Sequence, residues 1–451
     1  MSQRQGQEFY RGKKVLVCGA GISGQAVLER LRGIAGQLAL QDMNKSASCP
    51  WPEVVTYFGQ TPEPEALVAE FDVIVISPGI SIHAPFVAKA KSLGKQVVGE
   101  FELGAQFYEG EILGITGTNG KTTTTLLTAH LLRQGQEVVV AGNIGVPLVS
   151  QQGKTLCVAE VSSFQLETTQ HFRPKVSAVL NLTEDHLDRH HTMADYANLK
   201  ARIFENAEAG DVILLNYDNA YTKAMAEQVP KAATQWFFST EGVLDIGIYV
   251  SHGQVVIAQG AEIQGQFDLS GFKLKGKHNL ENALVAVAMA HLCGMDKTAI
   301  EKGLSTFTPP EHRLEYVTTK SGVDFYNDSK ATNPESAIKS LEAMDAPVVL
   351  IAGGKDKQSN YEAFTKAMGD NKVKQAVLIG EIAPLLAEAM AQFVPHIPVI
   401  MAMTMEAAVG LAYEGAKAGE VVLLAPASAS FDMFRSFEHR GKVFKASVHQ
   451  L

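Results

Sequence analysis

The stretch from Glu111 to Thr125, EILGITGTNGKTTTT, decides the fold. It reads as a short apolar strand, a glycine-rich turn and a helix that opens on threonines. Gly117 and Gly120 allow backbone conformations that a Cβ forbids, so successive N–H groups can turn toward one anion. Lys121 adds a mobile positive charge, Thr122 offers a hydroxyl to a divalent cation, and the helix N-terminus contributes its partial positive end. The pattern predicts a phosphate cradle. Its spacing departs from the Walker form: five positions before Gly120 stands Ile115, and the nearest glycines are Gly114 and Gly117. The competing reading is a glycine turn with a surface lysine. Strand, turn, Lys-Thr and helix in the required order favour the cradle.

A chain of 451 residues exceeds one ordinary core, so several domains are expected. Hydrophobic residues at 46% and charged residues at 19% are those of a soluble globular protein. A formal charge of −9 argues against a general nucleic-acid binder, which needs a basic face, but leaves room for local basic pockets. Cys18, Cys49, Cys157 and Cys293 are scattered, with no CxxC pair, which suits a reducing compartment and suggests neither a disulfide framework nor a zinc site. The opening MSQRQGQEFYRGKK is polar and shows no signal peptide, and no apolar run is long enough to span a bilayer. A cytoplasmic protein without membrane insertion is expected.

Outward from the cradle, three regions alternate strands with helices, predicting α/β domains with parallel sheets. In the first, residues 1–99, the strand KKVLVC precedes Gly19-Ala20-Gly21-Ile22-Ser23-Gly24, a helix from Gln25 to Arg32, and a strand from Leu38 ending in Asp42. This is a dinucleotide fingerprint with an acid about twenty residues on. Taken alone it leaves NAD, another nucleotide and a merely structural turn all open. A further strand from Phe71 to Ile76 ends in Ser77-Pro78-Gly79. The region is short for a six-stranded dinucleotide domain, which favours a half-sized fold holding one nucleotide-like group. The second region, residues 100–310, carries the cradle, strands starting at Val138, Leu156, Val176 and Val212, a β-rich excursion from Ser239 to Gly271, and a helix from Asn279 to Cys293. The third, residues 311–451, follows the break Thr308-Pro309-Pro310 and has strands starting at Val323, Val348, Ala376, Val399 and Val421.

A phosphate cradle needs a metal site. Glu160 ends the apolar run TLCVAE, where an unpartnered charge is expensive, and a carboxylate there can hold Mg²⁺ as the acid of a Walker B strand does. After the strand VSAVLNL comes TEDHLD, in which His186 stands among acids and could hold a metal or orient a phosphoryl oxygen.

GTNGKTTT, AEVSSFQLETT, NLTEDHLDRH, GKHNLENALVAVA, HRLE, FYNDSKATN, IAGGKDK and APASASFDMF follow one another in one order across nearly the whole chain. Together they resemble the Mur ligases of peptidoglycan synthesis, most closely the branch that joins D-glutamate to UDP-N-acetylmuramoyl-L-alanine. The family has its own GTNGKT variant of the loop. The resemblance implies a Rossmann-like N-terminal domain, a central ATPase domain and a Rossmann-like C-terminal domain. It implies ATP on Gly117, Thr118, Asn119, Gly120, Lys121, Thr122 and Thr123, with Asn279 and Asn282 near the adenine and Arg313, Asp328 and Lys330 meeting phosphates and ribose. Thr122, Glu160 and His186 would hold Mg²⁺ or Mn²⁺, assisted by Lys200 carbamylated with CO₂; by itself Lys200 reads only as a helical lysine. The UDP-substrate would meet Ile22, Ser23, Asp42, Ser77, Asn143, Ser162 and Gln165. Thr332, Lys357, Ser430 and Phe437 would fix D-glutamate, with Ser430 opening a helix after VVLLAPA. A monomer is expected. The readings from other classes are an NAD-dependent oxidoreductase, resting on the fingerprint alone, a non-enzymatic nucleotide switch, and, within the family, a ligase for a different amino acid.

Overall fold

The computed structural model of the chain describes residues 3–451 except 60–62, 186, 275, 309–310 and 357–358. The break at Pro309-Pro310 and the side chains of His186 and Lys357 therefore lie outside the described residues. The described chain forms three sheets. By contacts it divides into two compact units, residues 1–272 with 281–306, and residues 273–280 with 307–451.

The first unit contains two sheets. The N-terminal one joins β1 (Lys14–Cys18), β2 (Gln37–Asp42), β3 (Val55–Phe58), β4 (Val73–Ile76) and β5 (Gln96–Gly99) in the order β3-β2-β1-β4-β5, all parallel. Runs such as VIVI in β4 are buried throughout because helices cover both faces of a parallel sheet. The order reverses between β1 and β4, the point where such sheets open a crevice at their carboxyl ends. Five strands fit the half-sized domain expected. The edge strands β3 and β5 are short and partly exposed, which is why alternation did not announce them.

The second sheet comprises β6 (Ile112–Thr116), β7 (Val138–Gly142), β8 (Leu156–Glu160), β9 (Val176–Val179), β10 (Val212–Asn216), β11 (Thr234–Ser239), β12 (Ile246–Ser251), β13 (Gln254–Gln259) and β14 (Glu262–Asp268), in the order β14-β13-β12-β11-β10-β9-β6-β8-β7. The β excursion is real, but it is no separate element: β12 pairs parallel with β11, and β13 and β14 continue the same sheet as an antiparallel hairpin edge. β9 stops at Val179, shorter than the apolar run to Leu182, because Leu180 and Asn181 turn under the phosphate loop. The placement of β6 between β8 and β9 brings three strand ends together.

The second unit has β15 (Glu315–Lys320), β16 (Val323–Asn327), β17 (Val348–Gly353), β18 (Val373–Ile379), β19 (Val399–Met401) and β20 (Val421–Leu424), ordered β15-β16-β20-β17-β18-β19, with only β15 antiparallel. The carboxyl ends of β16, β20 and β17 therefore lie side by side. The expected helix at Ser430 is corrected: Ser430 heads a turn whose carbonyl accepts from Met433 and Phe434 N–H, and the helix Phe437–Gln450 opens only after the Ser436 cap.

Candidate active site

The loop after β6 is shaped by its glycines. Gly117 has φ +148° and Gly120 φ +84°, and a Cβ on Gly120 would collide with the Asn282 side-chain oxygen. Gly120 passes straight into the helix Lys121–Leu132, with no side-chain cap to occupy its first N–H groups. Asn181, at the end of β9, clamps the loop from below. Its Oδ1 accepts from Asn119 N–H at 2.8 Å and its Nδ2 donates to Asn119 O at 3.1 Å, while Thr118 N–H donates to Asn181 O at 2.9 Å. Asn282 accepts from the Thr124 hydroxyl at 2.9 Å, tying the following helix to the helix Lys277–Leu292. Asn279 is buried on that second helix.

Two amines meet at one carbonyl. Lys121 Nζ donates to Gly117 O at 2.9 Å and Thr118 O at 2.7 Å, and Lys200 Nζ donates to the same Gly117 O at 2.8 Å. Lys200 is only 1% exposed and lies 4.7 Å from the centroid of the Tyr196 ring. Burial, with the neighbouring Lys121 charge, holds its amine well below the ordinary lysine range, although Asp185 and Glu160 pull the other way. On the adjacent strand end Glu160 is 2% exposed. Its Oε1 accepts from Asn143 Nδ2 at 2.7 Å, while its Oε2 is buried with no hydrogen-bond partner. Among the described residues no group of three or more His, Cys, Asp or Glu is placed to hold a metal.

At the N-terminal crevice, Asp42 Oδ2 accepts from Ala20 N–H at 2.7 Å, so the acid after β2 braces the glycine turn. Ser77 lies against Gly19, and Ile22 is exposed at the start of the helix Ile22–Leu31, three residues earlier than expected. Ser162 and Gln165 form a reciprocal capping box on the turn Ser163–Leu166, so their side chains hold each other.

Models of the MurD-like N-terminal domain of Mur ligases, the Mur ligase middle domain and the Mur ligase glutamate ligase domain match residues 13–99, 115–290 and 312–428. A UDP-N-acetylmuramoylalanine–D-glutamate ligase of Caldanaerobacter subterraneus subsp. tengcongensis is 41% identical over 97% of this chain and 98% of its own. The chain belongs to the Mur ligase family. A ligase of the same name from Koribacter versatilis is also 41% identical, over 98% of each chain. The crystal structure of UDP-N-acetylmuramate-alanine ligase MurC from Thermotoga maritima shares the fold, with a TM-score of 0.61 at 16% identity over 97% of this chain and 99% of that one.

Within this Mur ligase the second unit places Asp328, Lys330 and Thr332 after β16 and Ser430 after the neighbouring strand β20. Asp328 follows β16, half-buried, and accepts from the Ser340 hydroxyl at 2.5 Å; desolvation raises its carboxyl above the ordinary range. Lys330 lies 3.9 Å from the centroid of the Phe437 ring, and Thr332 turns back on Lys330 O at 2.7 Å. Arg313 faces Asp328 electrostatically. Ser430 is buried beyond β20.

Sequence reasoning missed Asn181 as the loop's clamp and Tyr196 as the surface beneath Lys200. The position of Asn181 directly after VSAVLNL was an available signal; Tyr196 had none. It also missed two buried acids of the Mur ligase first unit. Glu102 is fully buried and accepts from the consecutive N–H groups of Gln170, His171 and Phe172 at 2.9–3.1 Å. Glu100, 2% exposed, accepts from Val149 N–H at 3.4 Å and bonds Ser23. Burial pushes the Glu100 carboxyl from 4.5 up to about 7. A raised folded pKa means that the neutral form is favoured by folding, so its stabilising effect is complete below pH 4.5 and disappears as pH rises through 7. The loss amounts to about 3 kcal/mol. Glu100→Gln is expected to flatten the fall in melting temperature between pH 5 and 7.5; an unchanged slope would show that other groups set it.

Proposed function

We propose that the chain is an ATP-dependent, ADP-forming ligase that joins D-glutamate to UDP-N-acetylmuramoyl-L-alanine through an acyl phosphate, in the synthesis of peptidoglycan precursors in the cytoplasm. The observation that carries this reading is the meeting of a phosphate-loop lysine, a buried lysine and a partnerless carboxylate oxygen at the ends of β6 and β8. The names of the curated relatives point to the same reaction. We assign substrate binding to residues 1–99, ATP to 100–310 and the amino acid to 311–451, acting as a monomer.

In this reading the loop amides from Gly117 to Thr123 and the Lys121 ammonium hold the terminal phosphates of ATP, with Asn279 and Asn282 toward the adenine and Arg313, Asp328 and Lys330 contributing from the C-terminal domain. The residues present fit a magnesium ion. Glu160 Oε2 is a buried acceptor without a donor, the Thr122 hydroxyl lies at the helix start, and an ion that takes few protein ligands beside phosphates and water needs no larger cluster. Such an ion, held by Thr122 and Glu160, would offset the negative charge of the terminal phosphates. His186 would join its shell. Ile22, Ser23, Asp42, Ser77, Ser162 and Gln165 bound the UDP-sugar, Asn143 joins them beside Glu160, and Thr332, Lys357, Ser430 and Phe437 receive D-glutamate. The L-alanyl carboxylate attacks the γ-phosphorus and ADP leaves; the neutral amine of D-glutamate then attacks the acyl carbon, and phosphate leaves as the amide forms.

Lys200 fits a carbamate. Burial disfavours the charged ammonium of Lys200 and so favours the neutral amine, the form that attacks CO₂, losing one proton and becoming an anion suited to a metal. Lys200→Ala is expected to lose most turnover and to regain part of it with added short-chain carboxylates; full activity without them would refute the role.

The decisive experiment measures phosphate release with ATP, Mg²⁺ and UDP-N-acetylmuramoyl-L-alanine across a panel of amino acids. Acceleration by D-glutamate above all others is expected. Acceleration by another amino acid would reassign the branch, and none with any would end the proposal.

A further inference from the structure

The carboxyl ends of the middle-domain strands carry the site above, and their amino ends line a separate cavity of about 670 Å³. That volume lies within the range of about 300–1,000 Å³ typical of small-molecule sites. Four of the strands enter the sheet from a charged residue on this cavity: Lys175 before β9, Glu111 before β6, Lys154 before β8 and Glu137 before β7. Because the strands stand in the order β9-β6-β8-β7, the charges alternate in sign along the edge. Neighbouring strands are about 4.8 Å apart, so the alternation has the scale of a small molecule carrying both charges.

These groups are not spent on one another. Lys175 reaches Asp211 at 3.8 Å, whereas Glu111, Lys154 and Glu137 make no ion pair among the described residues. Beside them the Gln136 Nε2 amide is buried without a hydrogen-bond partner, a donor turned from water with nothing to receive it. Leu156 and Val176 supply apolar lining between the charges. A simple anion placed here would face two carboxylates, a simple cation two ammonium groups, and an apolar molecule would strip water from all four. Only a ligand with both charges meets every group favourably.

We propose that this cavity binds a zwitterion, an amino acid or short peptide with free amino and carboxyl ends. Its carboxylate meets Lys154 and the Gln136 amide, and its ammonium meets Glu111 and Glu137. The site is independent of the ligase reading, since it lies at the opposite ends of the strands from the phosphate loop.

Cys293, in the cavity wall and half-buried, serves as the reporter. Burial, together with the Glu111 carboxylate, raises its thiol to about 11, so alkylation is followed at mildly alkaline pH. The full chain is treated with N-ethylmaleimide and the modification of Cys293 is read by peptide mass, with Cys49 as internal control. Millimolar trialanine is expected to slow the reaction at Cys293 by about threefold, the protection reached at twice the dissociation constant. Trialanine blocked at both ends should give none, and Glu137→Gln and Lys154→Gln, both at exposed positions, should each weaken it. Equal rates with and without free trialanine overturn the proposal. So does equal protection by the blocked peptide, or protection that survives both substitutions.

Discussion

Lys121→Ala is expected to lower ADP formation by about a hundred- to a thousandfold, the loss typical when a preorganised positive group is removed from the charge that develops in a transition state. The fold should survive. Lys121 is partly exposed and its ammonium donates to two loop carbonyls, one of which, Gly117 O, keeps Lys200 as a donor. Removing the Lys121 charge also relieves the repulsion that helps depress the Lys200 amine, so the pH at which Lys200 titrates should rise. Lys121→Arg should not restore the rate, because a planar guanidinium cannot occupy the space of a compact ammonium against the Gly117 and Thr118 carbonyls. Steady-state ADP release, with circular dichroism to confirm the fold, checks this; turnover within tenfold of the parent would refute the assignment of the loop.

Glu160→Gln separates charge from shape. The amide oxygen can still accept from Asn143, and the amide nitrogen takes the position of the buried oxygen that now has no partner. Stability should therefore change little, whereas the anionic ligand proposed for magnesium is gone. An ion held there would supply several kcal/mol of charge stabilisation, so on the proposed assignment turnover should fall by about a thousandfold. The magnesium concentration for half-maximal rate should rise at the same time. A variant with normal magnesium dependence would place the metal elsewhere.

What could be read without coordinates was whatever short stretches of chain decide for themselves. The strand–turn–helix at Glu111 to Thr125, the glycine turn at Gly19, the position of Glu160 at the end of an apolar run and the α/β class all follow from local periodicity and from glycines placed where a side chain would clash. The ordered motifs pointed to the Mur ligases, which the family models bear out. Ser430 went wrong for a local reason too: a serine after a buried strand resembles a helix cap, but the cap lies six residues further on, at Ser436.

Tertiary structure alone decided which of these pieces touch. The order β9-β6-β8 places Asn181 beneath the loop, the empty oxygen of Glu160 beside it, and Lys200, a residue that looks like any helical lysine, in complete burial against Gly117. Burial and charge proximity are sums over segments distant in sequence, so no window along the chain contains them. The same holds for Glu100 and for the alternating charges at the amino ends of the strands. Each is an ordinary surface letter until the sheet order sets its neighbours.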